Sequence, residues 1–285
     1  MEEFKEKNIA IVCNILAGSG RAVLLSGQVK DELKKRNISA TLFKEKWPDK
    51  FEGFTDVIIV GGDGTLNFFI NKYPEIELPL VIFDGGSGND VHSVLYGDKS
   101  FGEKLETALS AVPKPVDGGR CNNRYFINGV GIGFEGAVAK TLMGVNKQPG
   151  KISFMGAILK KIFFYSSKKY KVNSIEYNGE SEQLMLSIMN GHRAGGGFHV
   201  APNSSIVDGL LDVVMVDKLA PLLRLRWLPV IEKGKHLHLP FIKYFRTQKI
   251  VITSPEPIQA HLDGEYYEAN RLEIEMLPGK HLFRY

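Results

Sequence analysis

The hydrophobic positions in the first third of the chain alternate between continuous runs and helical spacing. Continuous apolar runs predict strands at Asn8 to Cys13, Ile38 to Phe43, Val57 to Val60 and Leu80 to Phe83. Apolar residues recur at helical spacing over 21–36 and again from Leu66 to Tyr73. Strands that alternate with helices over short connections are typical of a mostly parallel, doubly wound sheet. The sequence therefore predicts an α/β domain at this end of the chain.

From about Val116 onward, the hydrophobic pattern changes to short alternating segments that are separated by glycines and Asn/Asp pairs. This pattern predicts an antiparallel, sandwich-like domain that is rich in strands. Strands are predicted at Arg124 to Asn128, Ser174 to Tyr177, Leu184 to Met189, Leu211 to Val216 and Lys249 to Thr253. Because Pro113-Lys114-Pro115 separates the two patterns, we expect one domain over 1–115 and a second over 116–285.

Composition narrows the class of protein only mildly. With 285 residues, 44% hydrophobic and 24% charged, the chain is typical of a globular protein of two domains. A net charge of +4 gives no reason to expect nucleic acid as a partner, and two cysteines fit a reducing cytoplasm. The first residues lack the apolar region of a signal peptide, and no apolar run approaches the ~18 residues of a membrane span. We therefore expect a cytoplasmic protein whose membrane contact, where it exists, is peripheral.

The most informative motif, Gly61-Gly62-Asp63-Gly64-Thr65-Leu66-Asn67, joins a predicted buried strand to a predicted helix. Glycines at such a junction let the backbone turn sharply and let a ligand approach it closely. The free N–H groups and the positive dipole end of a helix N-terminus favour phosphate there. A carboxylate at Asp63 would repel this phosphate unless a cation lay between them, so the motif predicts Mg²⁺ together with a nucleotide.

Two further glycine-containing loops follow predicted strands. Residues 14–21 follow the first strand, and residues 84–90 follow the strand that ends at Phe83. In a doubly wound sheet, the loops at the carboxyl ends of the strands bind the ligand. Ordinary turn chemistry could explain any one of these loops, but three of them at one sheet edge favour a phosphate site.

Other phosphate-binding motifs do not fit this sequence. The chain contains no G-x-x-x-x-G-K-[ST] segment, which excludes a P-loop. Residues 131–136 read G-x-G-x-x-G, but a dinucleotide site also needs an acidic residue ~20 positions further on. Residues 151–171 contain no Asp or Glu, which argues against a dinucleotide site.

The order of the motifs resembles that of the diacylglycerol kinase-like lipid kinases, a family that includes bacterial lipid kinases and the sphingosine and ceramide kinases. Residues 61–67 match the signature loop of the family, and 86–90 resemble its second nucleotide loop, with Ser87 where threonine is usual. Residues 14–20 resemble its opening loop, although Ile15 stands where proline is expected. The family order continues through Asn128 to Phe134, Asn190, Gly195-Gly196-Gly197, Pro202-Asn203, Asp208-Gly209, Gly234-Lys235-His236 and Asp263-Gly264-Glu265.

The resemblance implies a nucleotide-binding N-terminal domain, a β-rich C-terminal domain and an ATP- and Mg²⁺-dependent kinase that phosphorylates a lipid hydroxyl, such as that of diacylglycerol. It implies that Glu265 accepts the hydroxyl proton with support from Asp263, while Asp63 organises Mg²⁺ and phosphate. Asp63 is the second candidate for the base. The implied nucleotide contacts are Asn14, Gly61, Gly62, Asp63, Gly64, Thr65, Asn67, Ser87, Gly88 and Asn89.

Two of the implied sites also have a purely structural explanation. Asp208 resembles a family position that binds a structural Mg²⁺ with backbone carbonyls, here those of Ser205 and Leu210. Asp263-Gly264 is at the same time the strongest short signal for a two-residue hairpin turn. Asp208-Gly209 can likewise be a simple Asp-Gly turn, so both explanations stay open for each pair.

Two alternative functions also stay open. NAD kinases share the GGDGT loop, although their asparagine–glutamate pair and threonine–glycine–serine segment have no counterpart here. A nucleotide-sensing regulator could keep the fold without catalysis, but an intact Asp263-Gly264-Glu265 disfavours it. The basic, aromatic segment 151–171 predicts either a core-facing helix or a helix that docks on anionic membrane. A homodimer is equally open.

Overall fold

The computed structural model describes residues 7–143 and 151–285. The chain forms two compact units, of which the first comprises Met1–Val116 and Lys280–Tyr285, and the second comprises Asp117–Gly279. The domain limits of 1–115 and 116–285 stay a prediction, and the end of the last strand belongs to the first unit.

The elements are numbered in chain order. The helices are α1 (Arg21–Lys35), α2 (Asp63–Lys72), α3 (Asp90–Tyr96), α4 (Phe101–Ser110), α5 (Phe134–Leu142), α6 (Lys151–Phe164) and α7 (Pro221–Glu232). The strands are β1 (Asn8–Cys13), β2 (Ser39–Phe43), β3 (Asp56–Gly61), β4 (Leu80–Asp84), β5 (Lys114–Cys121), β6 (Arg124–Phe126), β7 (Gly129–Gly133), β8 (Lys168–Asn173), β9 (Asn178–Met189), β10 (Leu211–Asp217), β11 (Ile242–Thr247), β12 (Lys249–Leu262) and β13 (Glu265–Phe283).

The first unit is built on a parallel sheet with the strand order β2-β1-β3-β4, and Phe283 at the end of β13 pairs with Leu80 of β4. Every residue of β3 is buried, as its continuous apolar run predicts. The direction of the strand order reverses between β1 and β3, and ligands of α/β sheets bind at the carboxyl ends of strands beside such a reversal. The α/β prediction is confirmed.

The second unit is rich in antiparallel strands, in the order β11-β10-β9-β7-β12-β13, with β8 paired to β9 and β12. Successive residues of β9 enter different cores, since Leu186 and Ile188 join one apolar cluster while Met185 and Met189 join another. The second cluster also takes side chains from α5, α6 and α7. The prediction of a strand-rich second domain is confirmed, with three helices covering part of its sheet.

Two strand predictions are corrected by local hydrogen bonds. Residues 174–177 form the turn between β8 and β9, because Ser174 N donates to Tyr177 O (2.8 Å) and Tyr177 N donates to Ser174 Oγ (3.0 Å). Serine hydroxyls often compete with strand pairing in this way. The strand predicted over 124–128 ends at Phe126, because the next backbone N–H groups donate to the Asp263 carboxylate.

Candidate active site

The three glycine-containing loops of the first unit are numbered here in chain order as the first (14–21), second (61–67) and third (84–90) loop. They pack backbone against backbone. A Cβ atom at Gly62 would lie 2.5 Å from Gly88 O and 3.0 Å from Gly86 Cα. A Cβ atom at Gly18 would lie 2.2 Å from Gly85 O. Since non-bonded carbon atoms prefer separations of about 3.5–4.0 Å, these positions tolerate only glycine without displacement of a neighbouring loop. The sequence motifs therefore converge on one cluster of loops.

Side chains of the predicted nucleotide site connect the first loop to the second. Asn14 Nδ2 donates to Thr65 Oγ1 (3.2 Å), and Asn14 Oδ1 accepts a hydrogen bond from Leu16 N (3.0 Å). Thr65 in turn lies against the backbone, because a Cβ atom at Gly61 would be 2.3 Å from its Oγ1. Asn14, Gly61 and Thr65 are thus brought together.

Two helices begin at this cluster without a side-chain cap. The N-caps of α1 and α2 are Gly20 and Gly62, and neither helix start has a side-chain capping hydrogen bond. Before α1, the residues Gly18, Ser19 and Gly20 have φ values of 58°, 53° and 94°. Successive backbone N–H groups in such turns, together with uncapped helix starts, form anion-binding concavities. The local geometry fits the phosphates of a nucleotide.

Asp63 holds the second loop against the third. Its Oδ2 accepts a hydrogen bond from Asp90 N (2.8 Å), and its Oδ1 accepts one from Val91 N (3.1 Å). The carboxylate therefore caps the N-terminus of α3, whose dipole end stabilises negative charge. A cation between Asp63 and phosphate is accordingly not the only way to offset this charge, and the predicted contact of Asp63 with Mg²⁺ stays a prediction.

The remaining predicted nucleotide contacts differ in burial. Asn67 is buried in α2, whereas Ser87 is exposed at the tip of the third loop. Asn89 donates from Nδ2 to Gly86 O (3.1 Å), but its buried Oδ1 accepts no hydrogen bond within the described chain. Because an unpaired buried acceptor is costly, Asn89 Oδ1 is suited to accept a hydrogen bond from a bound ligand.

A charged network at the end of β4 was missed by the sequence analysis. Asp84 accepts a hydrogen bond from Arg21 Nη2 at Oδ2 (2.9 Å) and one from Lys104 at Oδ1, with His92 Nε2 3.5 Å away. Burial acts to raise the pKa of Asp84, but the Lys104 hydrogen bond and the positive neighbours outweigh it and lower the pKa. The signal available in the sequence was the position of Asp84 at a strand end, directly before the third loop.

The second unit carries Asp263 and Gly264 in a two-residue hairpin between β12 and β13. Their φ values are 49° and 89°, and Leu262 pairs with Glu265 across the turn. Two successive left-handed residues are the requirement of a type I′ hairpin, for which Asp-Gly is a preferred pair. The hairpin explanation is correct, and it places Glu265 at the first position of β13.

The carboxylate of Asp263 is buried and accepts three backbone hydrogen bonds. Oδ2 accepts one from Ile127 N (2.9 Å), and Oδ1 accepts two, from Asn128 N (2.8 Å) and Gly129 N (2.9 Å). Such hydrogen bonds stabilise the charged form of a carboxylate and occupy its oxygens. Asp263 is thus suited to lock the turn, which is compatible with the predicted supporting role.

Glu265 differs from Asp263 in both burial and hydrogen bonding. It is exposed, and within residues 7–143 and 151–285 its carboxylate makes no hydrogen bond or ion pair with another side chain. Of the two acidic residues at this turn, Glu265 is therefore the one with oxygens open to a substrate.

We expect Asp263→Asn to destabilise the protein by about 2 kcal/mol or more, because an amide NH₂ group would face a buried N–H donor. The substitution tolerates the left-handed φ of this position, so the effect reports on the hydrogen bonds. Urea denaturation measures it. The control is Glu265→Gln, an exposed substitution expected to change stability by less than ~0.5 kcal/mol; equal stability of both variants would contradict the structural role of Asp263.

The asparagines of the later motifs meet beside this turn. Asn190 N donates to Asn128 O (2.8 Å), and Asn190 Nδ2 donates to Asp117 O (2.9 Å) and Ile127 O (2.7 Å). Asn128 Nδ2 donates to Arg193 O (2.8 Å). This network fixes the segment whose backbone holds Asp263.

Asp208 lies in an Asp-Gly turn, in which Gly209 has a φ of 71°. Its Oδ1 accepts a hydrogen bond from Leu210 N (3.1 Å), and its Oδ2 lies 3.7 Å from Arg246 Nη1. The part of the chain that the structure describes contains no cluster of three or more Asp, Glu, His or Cys residues suited to a metal. A cation held by Ser205, Asp208 and Leu210 would lie beside the Arg246 guanidinium, which repels it. Asp208 is thus already engaged by Leu210 N and Arg246, and the Mg²⁺ site at Ser205, Asp208 and Leu210 stays a prediction.

Both units match known protein families. Residues 8–121 match the diacylglycerol kinase catalytic domain, and residues 128–282 match the YegS C-terminal NAD kinase beta sandwich-like domain.

This chain belongs to the diacylglycerol kinase family of lipid kinases.

The relatives of this family member are distant in sequence. It is 28% identical to a "Probable lipid kinase YegS-like" protein of Shewanella frigidimarina over 78% of this chain and 74% of that protein. It is also 28% identical to a diacylglycerol kinase of Bacillus subtilis over 75% of this chain and 72% of that protein. A solved diacylglycerol kinase of Bacillus anthracis str. Sterne has the same fold, with a TM-score of 0.72 and 22% identity over 98% of this chain and 97% of that chain.

In the G-x-G-x-x-G segment of this lipid kinase, side chains lie against a glycine where a dinucleotide site would need space. A Cβ atom at Gly131 would lie 2.3 Å from His261 Nε2 and 2.4 Å from Glu135 Oε2. Ser187 Oγ donates to Glu135 Oε2 (2.9 Å), and His261 Nδ1 accepts a hydrogen bond from Gly264 N (3.1 Å). The absence of a side chain at Gly131 leaves space for Glu135 and His261, two titratable residues that the sequence analysis missed. His261 also contacts the Asp263-Gly264 turn.

Glu135 should make the stability of this kinase fall with rising pH. Burial raises its pKa from 4.5 to about 8, although the Ser187 hydrogen bond opposes the shift. Between these two pKa values the folded state holds a proton that the unfolded state has released, so the free energy of unfolding decreases as pH rises.

Below about pH 7 the buried His92, His261 and His281 act in the opposite direction, because burial lowers their pKa values to about 4 and stability then rises as they lose their protons. Urea unfolding between about pH 7 and pH 8 should therefore show the decrease in the parent but a flatter profile in Glu135→Gln. The control is Glu182→Gln, which changes an exposed carboxylate. Parallel profiles for the parent and Glu135→Gln would show that Glu135 titrates normally.

Proposed function

We propose that this lipid kinase transfers the γ-phosphate of ATP, bound as its Mg²⁺ complex, to the hydroxyl of diacylglycerol or a related lipid. The observation that carries the proposal is the open carboxylate of Glu265, presented on a turn that Asp263 locks. A carboxylate in this state can accept the proton of an attacking hydroxyl.

The phosphoryl group passes directly from ATP to the lipid, and no covalent intermediate forms on the protein. The lipid oxygen attacks the γ-phosphorus while Glu265 accepts its proton, and the bond from the γ-phosphorus to the bridging oxygen breaks. ADP leaves with the electron pair, and the protonated Glu265 then returns its proton to solvent. Positioning and charge stabilisation supply most of the rate enhancement in such transfers.

The loop cluster of the first unit supports the assignment of ATP as donor. The helix starts at Gly20 and Gly62 would hold its phosphates, and Asn89 Oδ1 would accept a hydrogen bond from it. Mg²⁺ bound to the phosphates would neutralise charge that develops on their oxygens. Arg21, whose guanidinium is half-exposed beside Asp84, adds positive charge to this edge of the sheet.

We further propose that the enzyme works in the cytoplasm at a membrane surface, since its acceptor lipid resides in a bilayer. Two other functions make different demands on the same residues. A kinase of a soluble acceptor such as NAD would use Glu265 equally well, whereas a nucleotide-sensing regulator would bind ATP without needing a base.

One experiment separates these functions. The protein is incubated with γ-labelled ATP and Mg²⁺ in two parallel reactions, one with a total lipid extract and one with NAD. We expect label in the lipid fraction only when Mg²⁺ is present. Label in NAD would identify the soluble kinase, and ATP binding without any transfer would identify the regulator.

A further inference from the structure

Helix α7 is an apolar helix that lies on the surface of the second unit. None of its twelve residues is buried, and Leu222, Leu223 and Leu225 are 75%, 44% and 41% exposed. Only side chains near its middle and end, such as Trp227 and Ile231, pack against the core. The apolar side chains of a surface helix normally face the core, so α7 leaves apolar surface uncovered.

Helix α6 has the same character on its outward side. Ile158 and Ile162 are buried in the core shared with α7, which agrees with the core-facing alternative for this segment. On the outward side, however, Leu159, Phe163 and Phe164 are 41%, 48% and 81% exposed. A solvated helix face would carry polar residues at these positions.

Arg224 joins the two helices. Its Nη1 donates to Ile162 O (3.0 Å) and Tyr165 O (2.7 Å), and its Nε donates to Leu219 O (2.8 Å). The first turn of α7 therefore lies against the last turn of α6, and both helices carry exposed apolar side chains near this junction. We call these side chains together the α6/α7 surface, which consists of Leu159, Phe163, Phe164, Leu222, Leu223 and Leu225.

Most of the charged residues in α6 and α7 are basic. The two helices contain five basic residues and a single acidic residue, Glu232, which ends α7. Lys160 and Arg226 are exposed, and the Arg226 guanidinium lies 5.5 Å from the centre of the Trp227 ring. Basic residues that border exposed aromatic and aliphatic groups are typical of helices that lie in a membrane interface.

The basic residues that follow α6 do not belong to this surface. Lys168 Nζ lies 2.6 Å from Glu256 Oε2, and Lys169 Nζ lies 2.7 Å from Glu180 Oε1. Both lysines are part of β8 and are neutralised by these carboxylates. The segment 151–171 thus divides into a helix with an open apolar side and a strand with paired charges.

We propose that the α6/α7 surface docks on an anionic lipid bilayer, an inference that rests on the proposed function because a membrane-resident acceptor gives the kinase a reason to dock. The docking is peripheral, since none of the helices in the described ranges has the length and hydropathy of a bilayer-spanning segment. The apolar side chains enter the headgroup region, while Lys160 and Arg226 contact anionic headgroups.

Charge also decides between a bilayer and a second copy of this chain. A two-fold dimer would place the α6/α7 surface against itself, so that basic residues would face basic residues. Like charges across an interface are unfavourable. The headgroups of an anionic bilayer instead attract Lys160 and Arg226, and the apolar region beneath them accepts the six apolar side chains.

The apolar contribution is tested by sedimentation with vesicles of phosphatidylcholine and phosphatidylglycerol, without nucleotide. We expect Phe164→Ser with Leu222→Ser to reduce vesicle binding by ~10-fold or more, because burying each large apolar side chain favours the bound state. The matched control is Leu24→Ser with Ile175→Ser, whose parent side chains are 74% and 98% exposed and lie outside α6 and α7. The control should bind vesicles like the parent.

The electrostatic contribution is tested in the same assay at low salt. Lys160→Glu with Arg226→Glu should weaken binding by at least ~30-fold, given the usual contribution of a basic residue at an anionic surface. The matched control, Lys30→Glu with Lys34→Glu on α1, makes the same change of net charge elsewhere and should bind nearly as well as the parent. The parent should also bind vesicles of phosphatidylcholine alone far more weakly.

The outcomes separate docking from catalysis. Each surface variant should phosphorylate a lipid acceptor dispersed in detergent at the parent rate, since it changes neither the loop cluster nor the Asp263-Gly264 turn. Vesicle binding that equals the parent, or a parent that does not bind anionic vesicles, would overturn the docking surface while leaving the kinase proposal intact. A parent that elutes as a dimer and dissociates in Phe164→Ser with Leu222→Ser would overturn it in favour of a second copy.

Discussion

Replacing Glu265 by glutamine is expected to slow lipid phosphorylation by ~10²–10⁴-fold while Mg·ATP binding stays nearly unchanged. Glutamine keeps the size and the turn but cannot accept a proton from the lipid hydroxyl. The parent carboxylate is exposed and unpaired within the described chain, so the substitution breaks no packing or ion pair. Initial rates with dispersed lipid, together with calorimetric titration of Mg·ATP, measure the two effects separately.

Glu256→Gln is the matched control, because Glu256 is an exposed residue of β12 whose only ion pair in the described chain is with Lys168. Exposed pairs contribute little to stability, so this variant should keep the parent rate. If Glu265→Gln also keeps most of that rate, Glu265 is not the base and Asp63 becomes the next candidate. Asp63 would then have to accept a proton while its oxygens also cap α3.

Features that depend on neighbouring residues could be predicted from the sequence. The strand before Gly61 follows from a continuous apolar run, and the hairpin at Asp263-Gly264 follows from a residue pair that adopts left-handed φ values readily. The meeting of the three loops follows from topology, because parallel strands bring their carboxyl ends to one edge. These inferences need only local propensity and one rule of chain connection.

Features that depend on distant partners could not be predicted. Asp63 is the cap of α3, and Asp263 is held by the backbone of residues 127–129, across long stretches of intervening chain. Glu135 has an unusual pKa only because folding buries it. A sequence motif names the residue type in such cases, but the hydrogen-bond partners that decide its chemistry are set by tertiary structure.

The outward sides of α6 and α7 show the same limit. Helical spacing in 151–164 predicts an apolar face, and Ile158 and Ile162 do enter the core. The sequence does not reveal that Phe164 stays exposed, because exposure depends on which neighbouring elements cover the helix. The family resemblance supplied the candidate functional residues, whereas the structure shows which of their carboxylates are hydrogen-bonded and which is exposed.

Gly62→Ala is expected to abolish detectable Mg·ATP binding. The backbone of Gly62 is allowed for alanine, so the effect is steric: the new Cβ would lie 2.5 Å from Gly88 O and 3.0 Å from Gly86 Cα. Both neighbours are backbone atoms of the third loop, which must then move away. Hydrogen bonds to phosphate need donor–acceptor distances of about 2.7–3.2 Å, and a displacement of the loops removes this geometry.

The matched control is Gly27→Ala, which places a methyl group on α1 where no atom beyond the adjoining helix backbone lies within 4 Å. It should bind Mg·ATP like the parent and gain roughly 0.5–1 kcal/mol of stability, because alanine is the better helix former. Calorimetric titration measures binding, and thermal unfolding in the presence and absence of Mg·ATP checks it independently, since a ligand of the folded state raises Tm. If Gly62→Ala folds and binds Mg·ATP with the parent affinity, the phosphates do not contact this loop cluster. The helix starts at Gly20 and Gly62 would then need another ligand to explain why neither carries a side-chain cap.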